Sequence, residues 1–113
     1  MSPLLTAWLV LAASVMSEVA GTVALKHSAG FTKPLPAVLA GGCYVAAVWL
    51  MAVAMRQLEM GIAYAVWAAG GTAITVLIGI LRYGEQLSIH KLAGVGLVLL
   101  GVIMLNLSGR DEA

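Results

Sequence analysis

The stretch LLTAWLVLAASVMSEVAGTVAL, residues 4–25, decides the fold class of this chain. It holds 22 residues and a single ionisable side chain, Glu18. An α-helix rises about 1.5 Å per residue, so about 20 apolar residues cross the ~30 Å hydrocarbon core of a bilayer. The stretch therefore predicts a transmembrane helix with an acid near its middle. No lysine or arginine precedes it, so we expect a working segment rather than a signal peptide.

Three further apolar runs follow at residues 34–55, 60–81 and about 90–109. Charged residues are confined almost entirely to the short connections between the runs. Backbone polar groups must be paired inside lipid, so each run is expected to be a helix rather than an open strand. The sequence predicts an all-α membrane protein, with residues 1–113 forming a single four-helix transmembrane domain.

Composition excludes several other classes of protein. Hydrophobic residues make up 62% of the chain and charged residues 10%, whereas soluble domains are about half apolar and a quarter charged. The net charge of +1 argues against a nucleic-acid partner. Cys43 is the single cysteine, which excludes an intrachain disulfide. The sequence offers no nucleophile–base set and no cluster of metal ligands, so we expect neither an enzyme nor a cofactor or metal site.

The distribution of positive charge bears on membrane orientation. The first and third connections carry four lysines and arginines, against two in the second connection and the C-terminus. This is a weak form of the bias that places such residues on the cytoplasmic side. Insertion in one orientation and insertion in both orientations (dual topology) therefore both remain open.

Glu18 is the residue that most needs an explanation. A charged carboxylate near the bilayer centre costs at least about 2.5 kcal/mol. One interpretation is a structural acid hydrogen-bonded to a neighbouring helix; the other is a functional site, the default for ionisable residues in membranes. Helical spacings of three and four place Ser14, Gly21 and Thr22 on the same face. These small, partly polar residues indicate a lined cavity, in which an acid is able to exchange a proton for a cation.

The third run contains the aromatic motif GIAYAVWAAGG, residues 61–71. Tyr64 and Trp67 are three residues apart and therefore share a helical face. They form either an interfacial aromatic belt or a wall for an organic cation, which aromatic faces attract. Tyr44 in the second run is either part of that wall or a packing residue.

Glycines suggest two further features. Gly70 and Gly71 permit a helix kink, although close helix packing explains adjacent glycines nearly as well. Gly94 and Gly101 in the fourth run are seven residues apart and share a face, which favours close packing against another helix. Four short helices hardly enclose a pathway alone, so we expect self-association through this seam.

Three motifs together point to a known family. They are SEVAGTVALKHSAGFTKPLP at residues 17–36, GIAYAVWAAGG, and the glycine pair followed by LNLSGR at residues 105–110. With them the chain resembles the small multidrug resistance family of bacterial transporters over nearly its whole length. The resemblance implies an antiparallel homodimer of four-helix subunits in the inner membrane. It also implies antiport driven by the proton gradient, with no cofactor.

The resemblance assigns roles to residues of this chain. Glu18 of both subunits binds either protons or a cationic substrate. Tyr64 and Trp67 line the substrate chamber, with Tyr44, Gly21 and Thr22 beside them. Ser14 is added to the predicted chamber by its spacing from Glu18. Ala68 and Ala69 depart from the family pattern, which has a small hydroxyl residue and then glycine. This departure places the expected kink at Gly70 and Gly71.

The predicted function is that of a proton-coupled antiporter exporting hydrophobic and quaternary ammonium cations. Gly21 favours this branch of the family, because guanidinium exporters generally carry tryptophan there and glycine leaves room for a bulky cation; Asn106 points the same way. A guanidinium exporter and one subunit of a heterodimeric pair are the alternatives within the family. A structural membrane subunit or a lipid flippase component is the alternative outside it, but gives no reason for a lone acid at Glu18.

Overall fold

A computed structural model describes residues 2–112, with side chains described for residues 2–108. The described chain forms four α-helices, namely α1 (Pro3–His27), α2 (Pro34–Ala54), α3 (Met60–Tyr83) and α4 (Ile89–Glu112). Their ends differ by at most three residues from the runs predicted at residues 4–25, 34–55, 60–81 and 90–109. Each helix is long and apolar enough to cross a membrane. The prediction of an all-α membrane fold with four transmembrane helices is confirmed.

Local sequence explains where α1 begins and ends. The Ser2 hydroxyl accepts a hydrogen bond from the Leu5 N–H at 3.1 Å, and Pro3 occupies the first helical position, where the missing N–H costs nothing. At the other end, the buried Ser28 hydroxyl donates to the Leu25 carbonyl at 2.7 Å and accepts from the Phe31 N–H at 3.1 Å. Residues 29–31 all have positive φ, with Gly30 at 72°. This left-handed turn reverses the chain into α2.

The first compact unit is a hairpin of α1 packed against α2. Small side chains recur on α2 every seven residues, at Ala40, Ala47 and Ala54, and all three are buried. The Ser14 hydroxyl donates to the Ala47 carbonyl at 2.6 Å, so this alanine side of α2 faces α1. Small residues let helices in lipid approach closely, and the resulting van der Waals contacts hold the pair together.

The second compact unit is a hairpin of α3 packed against α4. Gly84, with φ of 65°, ends α3, and the following Glu85 N–H donates to the Gly79 carbonyl at 3.0 Å. The Glu85 carboxylate lies over Gly79, where a Cβ atom would collide with it. Among the described side chains of α4 none is buried, which leaves this helix with a largely free surface.

The chain divides between Glu59 and Met60 into these two hairpins. Each hairpin is a compact helical pair with its own turn. The prediction of one four-helix domain over residues 1–113 stays a prediction.

Candidate functional site

Glu18 lies near the middle of α1 and is half-buried. The Thr22 hydroxyl, one helical turn further on, donates to its Oε1 at 2.9 Å. A hydrogen bond to a charged acceptor contributes about 1.5–3 kcal/mol, more than one between neutral groups. The acid of the first transmembrane helix therefore has a hydroxyl partner on its own helix.

A second hydroxyl extends this arrangement to α2. The Thr22 Oγ1 and the Tyr44 phenol oxygen are 2.9 Å apart, and either atom is able to donate. Thr22 has one hydroxyl hydrogen, so while it donates to an ionised Glu18 the bond from Tyr44 must run toward Thr22. If Glu18 carries a proton, the acid itself becomes a donor and the direction of both bonds can reverse. Glu18, Thr22 and Tyr44 thus form a short hydrogen-bonded relay that links α1 to α2.

Gly21 brings α2 close enough for this relay. It is buried, and a Cβ atom on it would lie 2.9 Å from Tyr44 Cε1 and 3.1 Å from Cys43 Cβ. Carbon atoms in contact prefer separations of about 3.5–4.0 Å, so any larger residue at this position must displace the ring or the helix. The sequence analysis interpreted Gly21 as leaving space for a bulky substrate. In the structure the Tyr44 ring occupies the space beside Gly21.

Two serines of α1 donate hydrogen bonds to backbone carbonyls of α2. Ser14 is fully buried and bonds to Ala47, as described above, while the Ser17 hydroxyl donates to the Cys43 carbonyl at 2.8 Å. Both bonds place serine hydroxyls against a carbonyl of the neighbouring helix, a common contact between membrane helices. Ser14, predicted to line the chamber, has a packing role in this hairpin. Ser17 was missed by sequence reasoning, although its spacing of three from Ser14 was a readable signal.

The aromatic pair lies on α3. The ring centroids of Tyr64 and Trp67 are 5.7 Å apart with the ring planes tilted by 45°, within the range of favourable aromatic contacts. Tyr64 is 57% exposed and Trp67 is half-buried. The indole Nε1 of Trp67 is buried and has no hydrogen-bond partner among the described residues. A buried donor without an acceptor costs about 1–3 kcal/mol, so a hydrogen-bond acceptor for this nitrogen would be stabilising.

The glycines predicted to bend or pair helices are placed as follows. Helix α3 runs through Gly70 and Gly71 without interruption, and Gly71 is buried. On α4, Gly94 and Gly101 are exposed, and a Cβ atom on either would have no neighbour within 4 Å. The α3 kink and the α4 packing seam stay predictions.

The structure thus brings together one set of predicted residues in each hairpin. In the first, Glu18, Thr22 and Tyr44 form the relay, with Gly21 beneath the tyrosine ring. In the second, Tyr64 and Trp67 form a tilted aromatic pair. A membrane acid with hydroxyl partners and a partly exposed aromatic pair are groups suited to protons and organic cations.

Comparison with known proteins decides the family. The family model described as "Small Multidrug Resistance protein" matches residues 6–98. The chain belongs to the small multidrug resistance family. A protein named multidrug transporter from Pseudomonas aeruginosa is 39% identical over 106 residues, which cover 94% of this chain and 96% of that protein.

Relatives within the small multidrug resistance family carry different names. A quaternary ammonium compound-resistance protein from Klebsiella aerogenes is 38% identical over 94% of this chain and 96% of its own length. A guanidinium exporter from Yersinia pestis is 37% identical over 90% of this chain and 98% of its own length. With its four apolar helices, this member of the family is a multi-pass bacterial membrane protein.

Proposed function

We propose that this protein exports hydrophobic and quaternary ammonium cations in exchange for protons, with both competing for Glu18. The observation that carries the proposal is the half-buried carboxyl of Glu18 inside a membrane-spanning helix, hydrogen-bonded to Thr22. A carboxylate there attracts a cation strongly, because lipid provides little competing solvation. A proton satisfies the same group, so the two ligands exclude each other.

The aromatic pair supplies the apolar part of the proposed binding site. Tyr64 exposes more than half of its surface and lies beside Trp67 at stacking distance. Aromatic faces attract organic cations, quaternary ammonium groups among them, by about 0.5–2 kcal/mol each. The relatives named for multidrug and quaternary ammonium resistance support this choice of substrate.

A second copy of the chain completes the proposed transporter. Helix α4 has no buried side chain among the described residues, and Gly94 and Gly101 lie open on its surface. Small open residues permit close packing between membrane helices, so α4 is suited to contact another subunit. We propose an antiparallel homodimer, which provides the inverted symmetry that alternating access requires.

The test of the proposal is proton release on cation binding. Addition of tetraphenylphosphonium to the purified, weakly buffered protein near pH 7 is expected to release protons in proportion to the cation bound. The Glu59→Gln variant, which removes an exposed carboxylate outside the helices, is expected to release the same amount. Cation binding without proton release would contradict exchange at Glu18. Release by guanidinium, and not by tetraphenylphosphonium, would assign the chain to the guanidinium exporters instead.

The hydroxyl relay leads to a separate prediction. Thr22→Val removes the donor to Glu18 and is expected to weaken tetraphenylphosphonium binding about tenfold at neutral pH, because the ionised acid loses a bond worth about 1.5 kcal/mol. Tyr44→Phe removes only the group that polarises Thr22 and is expected to weaken binding about threefold.

The two substitutions form a double-mutant cycle measured by calorimetry. Because Tyr44 acts through Thr22, Tyr44→Phe is expected to have no further effect in the Thr22→Val background. Equal effects of Tyr44→Phe in both backgrounds would mean that Tyr44 contacts the cation directly and that the relay plays no part.

A further inference from the structure

A pocket of about 450 Å³ lies at the end of the first hairpin, between the start of α1 and the end of α2. Its lining comes from one hairpin only and consists of Pro3, Thr6, Ala7, Val10, Val53, Arg56 and Gln57. The volume falls within the range of about 300–1,000 Å³ that is usual for ligand sites. Val10 precedes Glu18 by eight residues, or about 12 Å along the helix. The pocket is therefore distinct from the relay.

The lining changes from apolar to polar toward the end of the hairpin. Ala7, Val10 and Val53 lie within the membrane-spanning parts of α1 and α2 and are buried or half-buried. Arg56 and Gln57 are exposed and follow the end of α2 at Ala54 by two and three residues. Arginine just beyond a membrane span reaches the level of the lipid headgroups. The pocket therefore presents an apolar wall to the hydrocarbon side and a cation to the headgroup side.

The polar end of the pocket is suited to an anion. Among the side chains that the structure describes, no carboxylate pairs with Arg56. The Thr6 hydroxyl already donates to the Ser2 carbonyl at 3.0 Å, which leaves Arg56 and Gln57 as the side-chain donors. A guanidinium binds phosphate oxygens bidentately, and the amide of Gln57 adds further donors. An organic cation would be repelled here, so the pocket is not a second site for the exported substrate.

We infer that this pocket binds one anionic phospholipid. The phosphate lies against Arg56 and Gln57, and the first methylenes of an acyl chain lie along Val10 and Val53. Basic pockets between membrane helices recognise lipid headgroups by this combination of charge and apolar contact. The inference does not depend on the proposed export of cations, because none of the relay residues lines the pocket.

The test is native mass spectrometry of the full-length protein with phosphatidylglycerol or phosphatidylcholine. Wild type is expected to prefer phosphatidylglycerol. Arg56→Gln is expected to lower that affinity about fivefold, the effect of one basic residue near an anionic lipid. Arg82→Gln, the same change at the exposed end of α3, is expected to leave it unchanged. Val10→Phe, which fills the apolar end without changing the charge, is expected to lower it as well.

Four results would overturn the inference. Equal affinity for the two lipids would remove the role of the headgroup charge. If Arg56→Gln and Arg82→Gln lowered the affinity for phosphatidylglycerol equally, surface charge and not the pocket would attract the lipid. The same would follow if Val10→Phe bound the lipid as tightly as wild type. If equimolar glycerol phosphate displaced the lipid, the ligand would be identified as a free phosphate rather than a lipid. Proton release by tetraphenylphosphonium, measured on Arg56→Gln, is expected to be unchanged and separates this test from that of the proposed export.

Discussion

Glu18→Gln is expected to abolish cation export. Glutamine has nearly the size and shape of glutamic acid and keeps an acceptor for the Thr22 hydroxyl, but it carries no charge and releases no proton. Loss of one partner from a buried charge pair costs about 3–5 kcal/mol, which corresponds to at least about a 100-fold loss of cation affinity. The measurement is uptake of tetraphenylphosphonium into liposomes that contain the protein and have an imposed pH gradient.

Two variants control for structural effects of this substitution. Glu18→Asp keeps the charge but shortens the side chain by one methylene, which lengthens the bond to Thr22; it is expected to retain coupled uptake at a reduced rate. Glu59→Gln removes a carboxylate from the exposed turn after α2 and is expected to transport like wild type. Proton-coupled uptake by Glu18→Gln at the wild-type rate would refute the proposed role of Glu18.

Gly21→Ala is expected to destabilise the first hairpin by about 1–3 kcal/mol, the usual cost of overpacking. The new methyl group would lie 2.9 Å from the Tyr44 ring and 3.1 Å from Cys43 Cβ, so both the ring and the α2 backbone must move. The ring carries the hydroxyl that bonds to Thr22, and its displacement is also expected to weaken tetraphenylphosphonium binding. Thermal unfolding in detergent and calorimetry measure the two effects.

Gly42→Ala is the matched control for this prediction. Gly42 lies on α2 in the same hairpin, and a Cβ atom there would meet nothing within 4 Å. Alanine is favoured over glycine in a helix by about 0.5–1 kcal/mol, so this variant is expected to be as stable as wild type or more so. If Gly21→Ala and Gly42→Ala unfolded at the same temperature, close packing of Tyr44 on Gly21 would be disproved.

The four helices were predictable from the sequence because lipid imposes simple rules. Each span needs about 20 apolar residues, and charged residues mark the connections between spans. The structure extends α1 to His27 and α3 to Tyr83, beyond the last apolar residue of each run. Polar residues continue a helix readily once it leaves the hydrocarbon region, so hydropathy alone places these ends too early.

The relay was only partly predictable. Helical spacing placed Thr22 beside Glu18, because both lie on one helix and their separation follows from its geometry. The partner on α2 depends on the register of two helices, which hydropathy does not specify. Tyr44 therefore remained open between packing and a role at the site, and Ser17 was not recognised. Ser14 shares a face with Glu18, but a helix face is wide enough that Ser14 points into the contact with α2.

The local bond between Thr22 and Glu18 has a consequence for the biosynthesis of this protein. Helix α1 precedes α2 in the chain, so its acid is able to enter the membrane before α2 lies beside it. A partner on another helix would leave the carboxyl without any hydroxyl during that interval, at the full cost of an unpaired polar group in lipid. Thr22 lies one turn away on the same helix, so its hydroxyl, 2.9 Å from the acid in the folded structure, is within reach as soon as α1 is helical. The Tyr44 hydroxyl then bonds to Thr22 once α2 packs against α1.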